Sequence, residues 1–291
     1  MLNRRVAAAV ASLLAGASAA SAANSTIECP DGLQMIIARG TGEDEGPGVT
    51  GAIGLQIAKL IEGSAVHAID YPASFDQPSY FVSVSNGTAA VRETLTAYTK
   101  ACPDTKLALF GYSQGAQITS NTICGMPDVW AAMAVMGAGS RNAVDILSIG
   151  DAVDEEYTKN IVSVVLFGDP THQSDAPYNH GTGIDSGVFY RADHKACDAL
   201  GKRIRSYCDT GDPYCDVASP TNLTTHGVYV ETYHEEVIKY VVDQYTKIQG
   251  GIADASEDGP SPTQPPDSAG AISFGAISGV LVAVALAVGT L

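Results

Sequence analysis

Residues 107–118 read Leu-Ala-Leu-Phe-Gly-Tyr-Ser-Gln-Gly-Ala-Gln-Ile. An apolar run leads into a G-x-S-x-G motif, and residues that can begin a helix follow it. The segment therefore predicts a strand, a sharp turn and a helix. In such a turn, called a nucleophile elbow, the serine has a strained backbone conformation, and the two glycines keep neighbouring backbone from colliding with it. We expect the hydroxyl of Ser113 to project from the carboxyl end of a strand.

The helix after this turn adds a second chemical feature. The first N–H groups of a helix have no partner within it, and here they point at the serine. The amide of Gln114 is thus placed to donate to an oxyanion that forms on an attacked carbonyl. A G-x-S-x-G turn can also merely close a strand–helix junction. The apolar residues before the turn and the helix formers after it favour the catalytic interpretation.

Strand and helix patterns alternate along the rest of the chain. Short apolar runs predict strands, and apolar residues three or four positions apart predict helices. The predicted strands cover 33–38, 65–70, 106–110, 129–136, 161–167 and 202–207, the last being an edge strand, and the predicted helices cover 49–62, 79–100, 116–124 and 234–249. This alternation predicts an α/β fold with a parallel sheet of about five strands covered by helices on both faces. Chemistry in such folds gathers at the carboxyl ends of the strands.

Length and charge limit the functional classes. Of the 291 residues, 45% are hydrophobic. Trimming both ends leaves about 230 residues, which suits one α/β domain with its own core. The 16 basic and 32 acidic residues give a net charge of −16. A surface this acidic repels nucleic acid phosphates and anionic lipid headgroups, so we expect no nucleic acid partner.

The N-terminal segment 1–23 has the features of a secretory signal peptide. Arg4 and Arg5 precede an apolar run over 6–15, and an Ala-Ser-Ala pattern follows at 20–22. Such a leader is removed during export, so we expect the mature chain to begin near residues 20–24. Export makes three N-x-S/T sequons candidate glycosylation sites, at Asn24, Asn86 and Asn222.

The C-terminal segment predicts a lipid anchor. Residues 250–270 form a linker rich in Gly, Pro, Ser and Asp, and residues 271–291 are apolar and uncharged. A spanning helix is usually followed by Lys or Arg on the cytoplasmic side, whereas small residues, a polar stalk and an uncharged apolar end are typical of a GPI signal. We expect a GPI anchor at Asp267, Ser268 or Gly270 in preference to a transmembrane helix. Such an anchor would hold the domain at the cell surface.

Cysteine usage agrees with export. Six cysteines in an exported domain predict three disulfides, and number alone allows fifteen pairings. No C-x-x-C spacing suggests a metal site. Neither a metal nor an organic cofactor is implied.

A serine nucleophile needs an imidazole to take its proton and a carboxylate to orient that imidazole. The chain has six histidines, at positions 67, 172, 180, 194, 226 and 234. In α/β hydrolases the order along the chain is serine, acid, histidine, which favours a late histidine. His226 lies in a loop just before the last predicted helix. His234 lies inside that helix beside two glutamates, and we expect it to be a surface residue.

Two aspartates are candidates for the acid. Asp169 follows the strongly β-branched strand 161–167 in a Gly-Asp-Pro turn, and a general hydrolase argument would choose it. Asp212 lies between Cys208 and Cys215, and a disulfide between these cysteines would clamp the loop and hold the carboxylate still. Reasoning from the residues alone leaves both candidates open.

Four segments together resemble the cutinase and fungal acetylxylan esterase family. They are Arg39-Gly40-Thr41, Gly111-Tyr112-Ser113-Gln114-Gly115, Ser206-Tyr207-Cys208-Asp209-Thr210-Gly211-Asp212-Pro213-Tyr214-Cys215 and His226, in that order within a domain over 24–249. The resemblance implies a small lidless α/β hydrolase with Ser113 as nucleophile, His226 as base and Asp212 as acid. It also implies an oxyanion hole made by Thr41 and Gln114, and it leaves Asp169 as a structural turn.

The same resemblance implies the disulfide pairs Cys29–Cys102, Cys124–Cys197 and Cys208–Cys215. It further implies a serine esterase that acts on polymer-borne esters, either acetyl groups on xylan or the ester bonds of cutin. We expect it to be a secreted monomer. Cutinases tend to have aliphatic residues between the acid and the histidine, whereas residues 216–225 here are mostly small and polar. Residues 168–170 and 178–182 are also more similar to acetylxylan esterases. We therefore favour acetylxylan over cutin.

Two hypotheses from other classes stay open. The chain could be a catalytically idle surface protein that uses this fold for adhesion or carbohydrate binding, because a fold does not guarantee activity. It could also be a transacylase that acts on wall polymers, which would share the nucleophile and differ in its acceptor. The presence of a competent residue at every catalytic and oxyanion position favours the hydrolase.

Overall fold

A computed structural model describes residues 27–126 and 150–249. All of them belong to one compact unit of the chain, Met1–Ala253. The strands are β1 Leu33–Ala38, β2 Ala65–Ala68, β3 Lys106–Tyr112, β4 Ile161–Phe167, β5 Asn179–His180 and β6 Ile204–Tyr207. The helices are α1 Gly51–Leu60, α2 Tyr80–Ala101, α3 Gln114–Cys124, α4 Glu155–Thr158, α5 Lys195–Asp198, α6 Leu223–Gly227 and α7 Tyr229–Gln249.

The strands form a six-stranded sheet in the order β2-β1-β3-β4-β6-β5. Every pairing in it is parallel. Every residue of β1 and β4 is buried. These strands are continuous apolar runs because a parallel sheet covered on both faces exposes neither side to water.

The core has two layers, one on each face of the sheet. Successive side chains of β3 alternate between them: Leu107 and Leu109 belong to the layer shared with α2 and α3, and Ala108 and Phe110 to the layer shared with α1 and α7. This alternation follows from the two-residue period of a strand. The central strand β3 is therefore held on both sides, which fixes the position of the serine turn at its carboxyl end.

The predicted α/β architecture is confirmed, and the described residues form six strands where about five were expected. The prediction of an edge strand at 202–207 is wrong, because β6 lies second from the edge and the two-residue β5 pairs with it on the outside. A strand of two residues carries no periodic pattern that could reveal it. The last helix begins at Tyr229, five residues before the predicted start at position 234. The strand predicted over 129–136 lies outside the described residues.

The three disulfides expected from the resemblance are present: Cys29–Cys102, Cys124–Cys197 and Cys208–Cys215. Cys29 precedes β1 and Cys102 precedes β3, so this bridge lies at the amino end of the sheet. The bridge of Cys208 and Cys215 lies at the opposite end, in the loop that follows β6. Three disulfides in one domain are typical of a protein that folds in an oxidising compartment.

Some of the predictions concern the chain ends and the glycosylation sequons. The leader 1–23, Asn24, the linker 250–270 and the apolar tail 271–291 all lie outside the described residues. Among the helices of 27–126 and 150–249, none combines the length and the apolar character that crossing a membrane requires. Asn86 is exposed on α2, and Asn222 is exposed at the start of α6.

Candidate active site

Ser113 occupies a sharp turn between β3 and α3. Its backbone has φ 55° and ψ −120°, a conformation that costs a non-glycine residue free energy and that is typical of a nucleophile elbow. The Ser113 N–H donates to the carbonyl of Phe167 at the end of β4, 2.8 Å away. The close approach of the helix to the sheet requires the following glycine, because a Cβ on Gly115 would lie 2.1 Å from the carbonyl oxygen of Ala38. The predicted elbow is thus observed.

His226 reaches the serine from the short helix α6, where a loop was expected. Its Nε2 lies 2.9 Å from Ser113 Oγ. The imidazole contacts two tyrosine rings, with centroid distances of 5.3 Å to Tyr112 and 4.5 Å to Tyr214. Gly168, at φ +57°, supports the ring from the end of β4, and a Cβ there would lie 2.8 Å from His226 Cε1. These contacts leave the imidazole little freedom to turn.

Asp212 orients this imidazole. Its carboxylate is fully buried, and Oδ2 lies 2.8 Å from His226 Nδ1. Burial raises the pKa of the Asp212 carboxyl, but the hydrogen bond and charge of His226, with further hydrogen bonds from the Tyr214 N–H and the Tyr229 hydroxyl, outweigh it and lower the pKa overall. The acid therefore stays ionised. With Nδ1–H donating to Asp212, Nε2 is left to accept the proton of the Ser113 hydroxyl.

Asp169, the other candidate acid, accepts hydrogen bonds from Thr171. Its Oδ1 accepts from the Thr171 N–H and from the Thr171 hydroxyl, both at 2.8 Å, which closes the turn after β4. Thr171 Oγ1 in turn accepts from the buried guanidinium of Arg191 at 3.2 Å. Asp169 therefore closes a turn, and the carboxylate in contact with His226 is that of Asp212.

The two residues expected to make the oxyanion hole are in direct contact. Gln114 is the first residue of α3, so its backbone N–H has no partner within the helix. Its side-chain Nε2 donates to Thr41 Oγ1 at 3.1 Å. Because Thr41 Oγ1 already accepts this bond, the hydroxyl proton of Thr41 is free to turn toward an oxyanion beside Ser113.

A buried network holds that Gln114 side chain. Ser83 Oγ, on α2, donates to Gln114 Oε1 at 2.7 Å and accepts from the Ser74 N–H at 3.0 Å. Arg39 holds the loop of Thr41 from below: its guanidinium donates to the carbonyls of Ile69 and Tyr71 beyond the end of β2. Hydrogen bonds within the protein thus connect the loop after β1, which carries Thr41, to the turn of Ser113.

A cleft of about 710 Å³ opens beside Ser113. Besides the serine, the histidine and Thr41, its lining is mostly aromatic or apolar. We call four of the lining residues the aromatic wall: Phe75 in the segment after β2, Tyr80 and Phe81 at the start of α2, and Phe189 in the segment before α5. Phe75 is 69% exposed, so one end of the wall faces solvent.

Sequence reasoning missed the aromatic wall, the side-chain role of Gln114 and the contact of Tyr229 with Asp212. The wall joins residues 75–81 to residues 188–189, and no local pattern signals that these segments meet. Within the part of the chain that the structure covers, no cluster of histidines, cysteines or carboxylates could hold a metal ion.

An elbow serine on a parallel sheet, in contact with an imidazole that a buried carboxylate orients, defines the class of α/β hydrolases. A sequence profile of the cutinase family matches residues 28–245. This chain belongs to the cutinase family and is a carboxylic ester hydrolase.

Several known proteins are similar to this chain. An acetylxylan esterase of Hypocrea jecorina is 32% identical over 83% of this chain and 75% of its own length. Cutinase 11 of Verticillium dahliae is 32% identical over 79% of this chain and 75% of its own length. Among solved structures, the catalytic core domain of acetyl xylan esterase from Trichoderma reesei superposes with a TM-score of 0.61, at 30% identity, over 75% of this chain and all of that one.

The clamp on the Asp212 loop yields a prediction. Replacing Cys208 and Cys215 by Ser frees the carboxylate to move, so we expect kcat to fall about 100-fold, the equivalent of about 2.7 kcal/mol. The loop that this bridge closes is short, with a sequence separation of 7. Loss of the bridge should therefore lower the free energy of unfolding by only about 2 kcal/mol. Steady-state kinetics and urea unfolding measure the two effects.

The matched control removes the bridge at the amino end of the sheet. Replacing Cys29 and Cys102 by Ser opens a sequence separation of 73. It should lower the free energy of unfolding more, by about 4 kcal/mol, and leave kcat of the folded protein unchanged. Wild-type kcat in the folded Cys208 and Cys215 variant would contradict the role assigned to the clamp.

Proposed function

We propose that this protein is a secreted serine esterase that removes short acyl groups, most readily acetyl groups, from a xylan-type polysaccharide. The observation that supports the chemistry is the continuous contact from Ser113 Oγ through the His226 ring to Asp212 Oδ2, with distances of 2.9 Å and 2.8 Å. In this proposal Ser113 is the nucleophile, His226 the general base and Asp212 the carboxylate that orients it.

The reaction passes through an acyl-enzyme. Ser113 Oγ attacks the ester carbonyl while His226 takes the hydroxyl proton, and the tetrahedral oxyanion accepts hydrogen bonds from the Gln114 N–H and from the Thr41 hydroxyl. His226 then gives its proton to the departing alcohol oxygen, which leaves the acyl group on Ser113. A water molecule, activated by the same imidazole, attacks the acyl-enzyme and releases the acid.

The substrate class is inferred from the cleft and the relatives. Two of the relatives are named acetylxylan esterases. The cleft is open at Phe75, which suits an ester carried on a long polymer. Flat aromatic side chains offer apolar faces on which the C–H side of a sugar ring can pack. In this proposal the aromatic wall holds the sugar, and the small acetyl group points at the oxyanion hole.

A second candidate substrate is cutin, a polymer of aliphatic esters. The observation that favours it is the same wall, because an apolar cleft of about 710 Å³ is larger than an acetyl group needs. A cutinase of Verticillium dahliae is also among the relatives. In this alternative the wall holds a long acyl chain, and the chemistry at Ser113 is unchanged.

Location and partners complete the proposal. The leader 1–23 exports the chain, and a GPI anchor attached at Asp267, Ser268 or Gly270 holds the mature monomer at the cell surface. The three disulfides support passage through an oxidising compartment. Glycans attach at Asn24, Asn86 and Asn222 where the sequons are used.

The first test separates an esterase from an idle binding protein. A fluorophosphonate probe should label the wild-type protein and fail to label Ser113→Ala, because the probe needs an activated serine. On p-nitrophenyl esters, kcat/KM should fall steeply beyond butyrate, and acetylated xylan should release acetate. Absence of labelling in the folded wild-type protein would overturn the proposed activity, and product analysis with added glycan would reveal a transacylase.

The aromatic wall provides a second test. Phe75→Ala should raise KM on acetylated xylan about fivefold, the equivalent of about 1 kcal/mol, and leave p-nitrophenyl acetate within twofold. If the wall binds an acyl chain instead, the loss will grow with acyl length on p-nitrophenyl esters. Leu223→Ala is the matched control, since Leu223 is 73% exposed, lies three residues from His226 and does not line the cleft.

The anchor is tested in a eukaryotic host. The full chain should remain with the membrane fraction and be released by a phosphatidylinositol-specific phospholipase, because that enzyme cuts GPI lipids. A chain that ends at residue 266 should appear in the medium with unchanged activity. Full-length protein that stays in the membrane after the phospholipase treatment would indicate a transmembrane tail.

A further inference from the structure

The hydroxyl of Tyr229 contacts the same carboxylate oxygen that His226 uses. Tyr229 is the first residue of α7 and is 1% exposed. Its Oη lies 2.7 Å from Asp212 Oδ2, and His226 Nδ1 lies 2.8 Å from that oxygen. The ring is packed against Phe167 at the end of β4, with a centroid distance of 6.1 Å. A strand end and a helix start therefore hold this phenol beside the acid.

Three groups contact the Tyr229 hydroxyl, and one of them, the Asp212 carboxylate, is a charged acceptor for its proton. Tyr229 Oη already accepts from the Asp209 N–H at 2.9 Å. The Cys215 sulfur lies 3.3 Å away but belongs to a disulfide, so it has no proton to give. Burial, followed by the negative charge of Asp212, raises the pKa of the Tyr229 phenol far above its usual range. The phenol therefore stays protonated and donates to Asp212.

This bond completes the set of donors around the carboxylate. Oδ1 accepts from the backbone N–H groups of Tyr214 and Cys215, at 2.8 Å and 3.3 Å. Oδ2 accepts from His226 and from Tyr229. With two donors on each oxygen, the carboxylate cannot turn about its Cβ–Cγ bond without breaking hydrogen bonds. Without the phenol, Oδ2 would be held only by the imidazole that it has to orient.

We propose that Tyr229 is a positioning residue, which acts through Asp212 to set the orientation and the effective charge of the acid that faces His226. The inference rests on the proposed function, because it assumes that Asp212 and His226 serve Ser113. A donor on Oδ2 also disperses the negative charge of the carboxylate. Removing it concentrates that charge toward the imidazole and favours the protonated ring, so the acidic limb of the pH profile moves to higher pH.

Other ionisable groups face this site from every element packed on it. Asp216 accepts from the N–H groups of Gly211, Ile184 and Asp185, and Asp209 accepts from the Tyr233 hydroxyl and the Thr182 N–H. Further ionisable groups near the acid and the imidazole are Tyr80 on α2, Tyr112 on β3, Tyr214 in the clamped loop, and Asp169 and His172 after β4. None of these groups donates a side-chain hydrogen bond to Oδ2 of Asp212 in the part of the chain that the structure covers.

The experiment compares Tyr229→Phe with Tyr233→Phe. Tyr233 lies one turn further along α7, and its hydroxyl donates to the carboxylate of Asp209 at 2.6 Å, so it is a matched control for losing a phenol–carboxylate bond. We expect Tyr229→Phe to lower kcat roughly tenfold at an unchanged KM. The acidic limb of kcat/KM should move to higher pH. Tyr233→Phe should keep kcat within twofold and the limb unmoved.

The outcomes separate this inference from the proposed function. Wild-type protein without Ser113-dependent turnover overturns the function. Active wild-type protein whose Tyr229→Phe variant keeps kcat and the same acidic limb overturns the positioning role alone. If the Phe variant does not fold, 3-fluorotyrosine at position 229 keeps the shape and donates more strongly, so the limb should move to lower pH. An unmoved limb in that protein would also overturn the inference.

Discussion

A buried ionised carboxylate is the constraint that organises the functional end of this molecule. Moving a carboxylate out of water costs several kcal/mol unless hydrogen bonds replace the lost hydration. Asp212 is fully buried, and four donors meet it, from its own loop, from α6 and from the first residue of α7. These donors are brought together by the loop that Cys208 and Cys215 close, and by the two helices α6 and α7 that follow it.

The serine turn depends on the sheet in a comparable way. A non-glycine residue at positive φ persists only where its surroundings hold it. Ser113 is held by the bond from its N–H to Phe167 on β4, and by α3, which packs so closely that Gly115 has no room for a Cβ. The strained backbone of Ser113 and the buried charge of Asp212 both lie at the edge of the sheet where the parallel strands have their carboxyl ends. The fold therefore supplies the geometry, and few side chains supply the chemistry.

The sequence predicted those parts of the structure that depend on local pattern. The apolar runs of β1, β3 and β4 were predicted within a few residues, because strands buried on both faces must be continuously apolar. The choice between Asp169 and Asp212 could not be made from residues alone, since each follows a strand in a tight turn. The resemblance to a known family chose Asp212. In the structure Asp212 contacts His226, whereas the carboxylate of Asp169 accepts hydrogen bonds from Thr171 and closes a turn. Contacts between distant segments, such as Gln114 with Ser83, left no local signal.

The residues around Ser113 and the residues that line the cleft are carried by different parts of the fold. Ser113, His226 and Asp212 are held by β3, β4, α6, the clamped loop and the start of α7, whereas the aromatic wall is carried by the segment after β2, the start of α2 and the segment before α5. A substitution in those segments changes the shape of the cleft. It leaves in place the donors to Asp212 and the hydrogen bond that holds the Ser113 backbone. Substrate choice can therefore vary while the buried charge and the strained turn stay fixed. A family whose members are named for polysaccharide esters and for cutin is what such a division of structure permits.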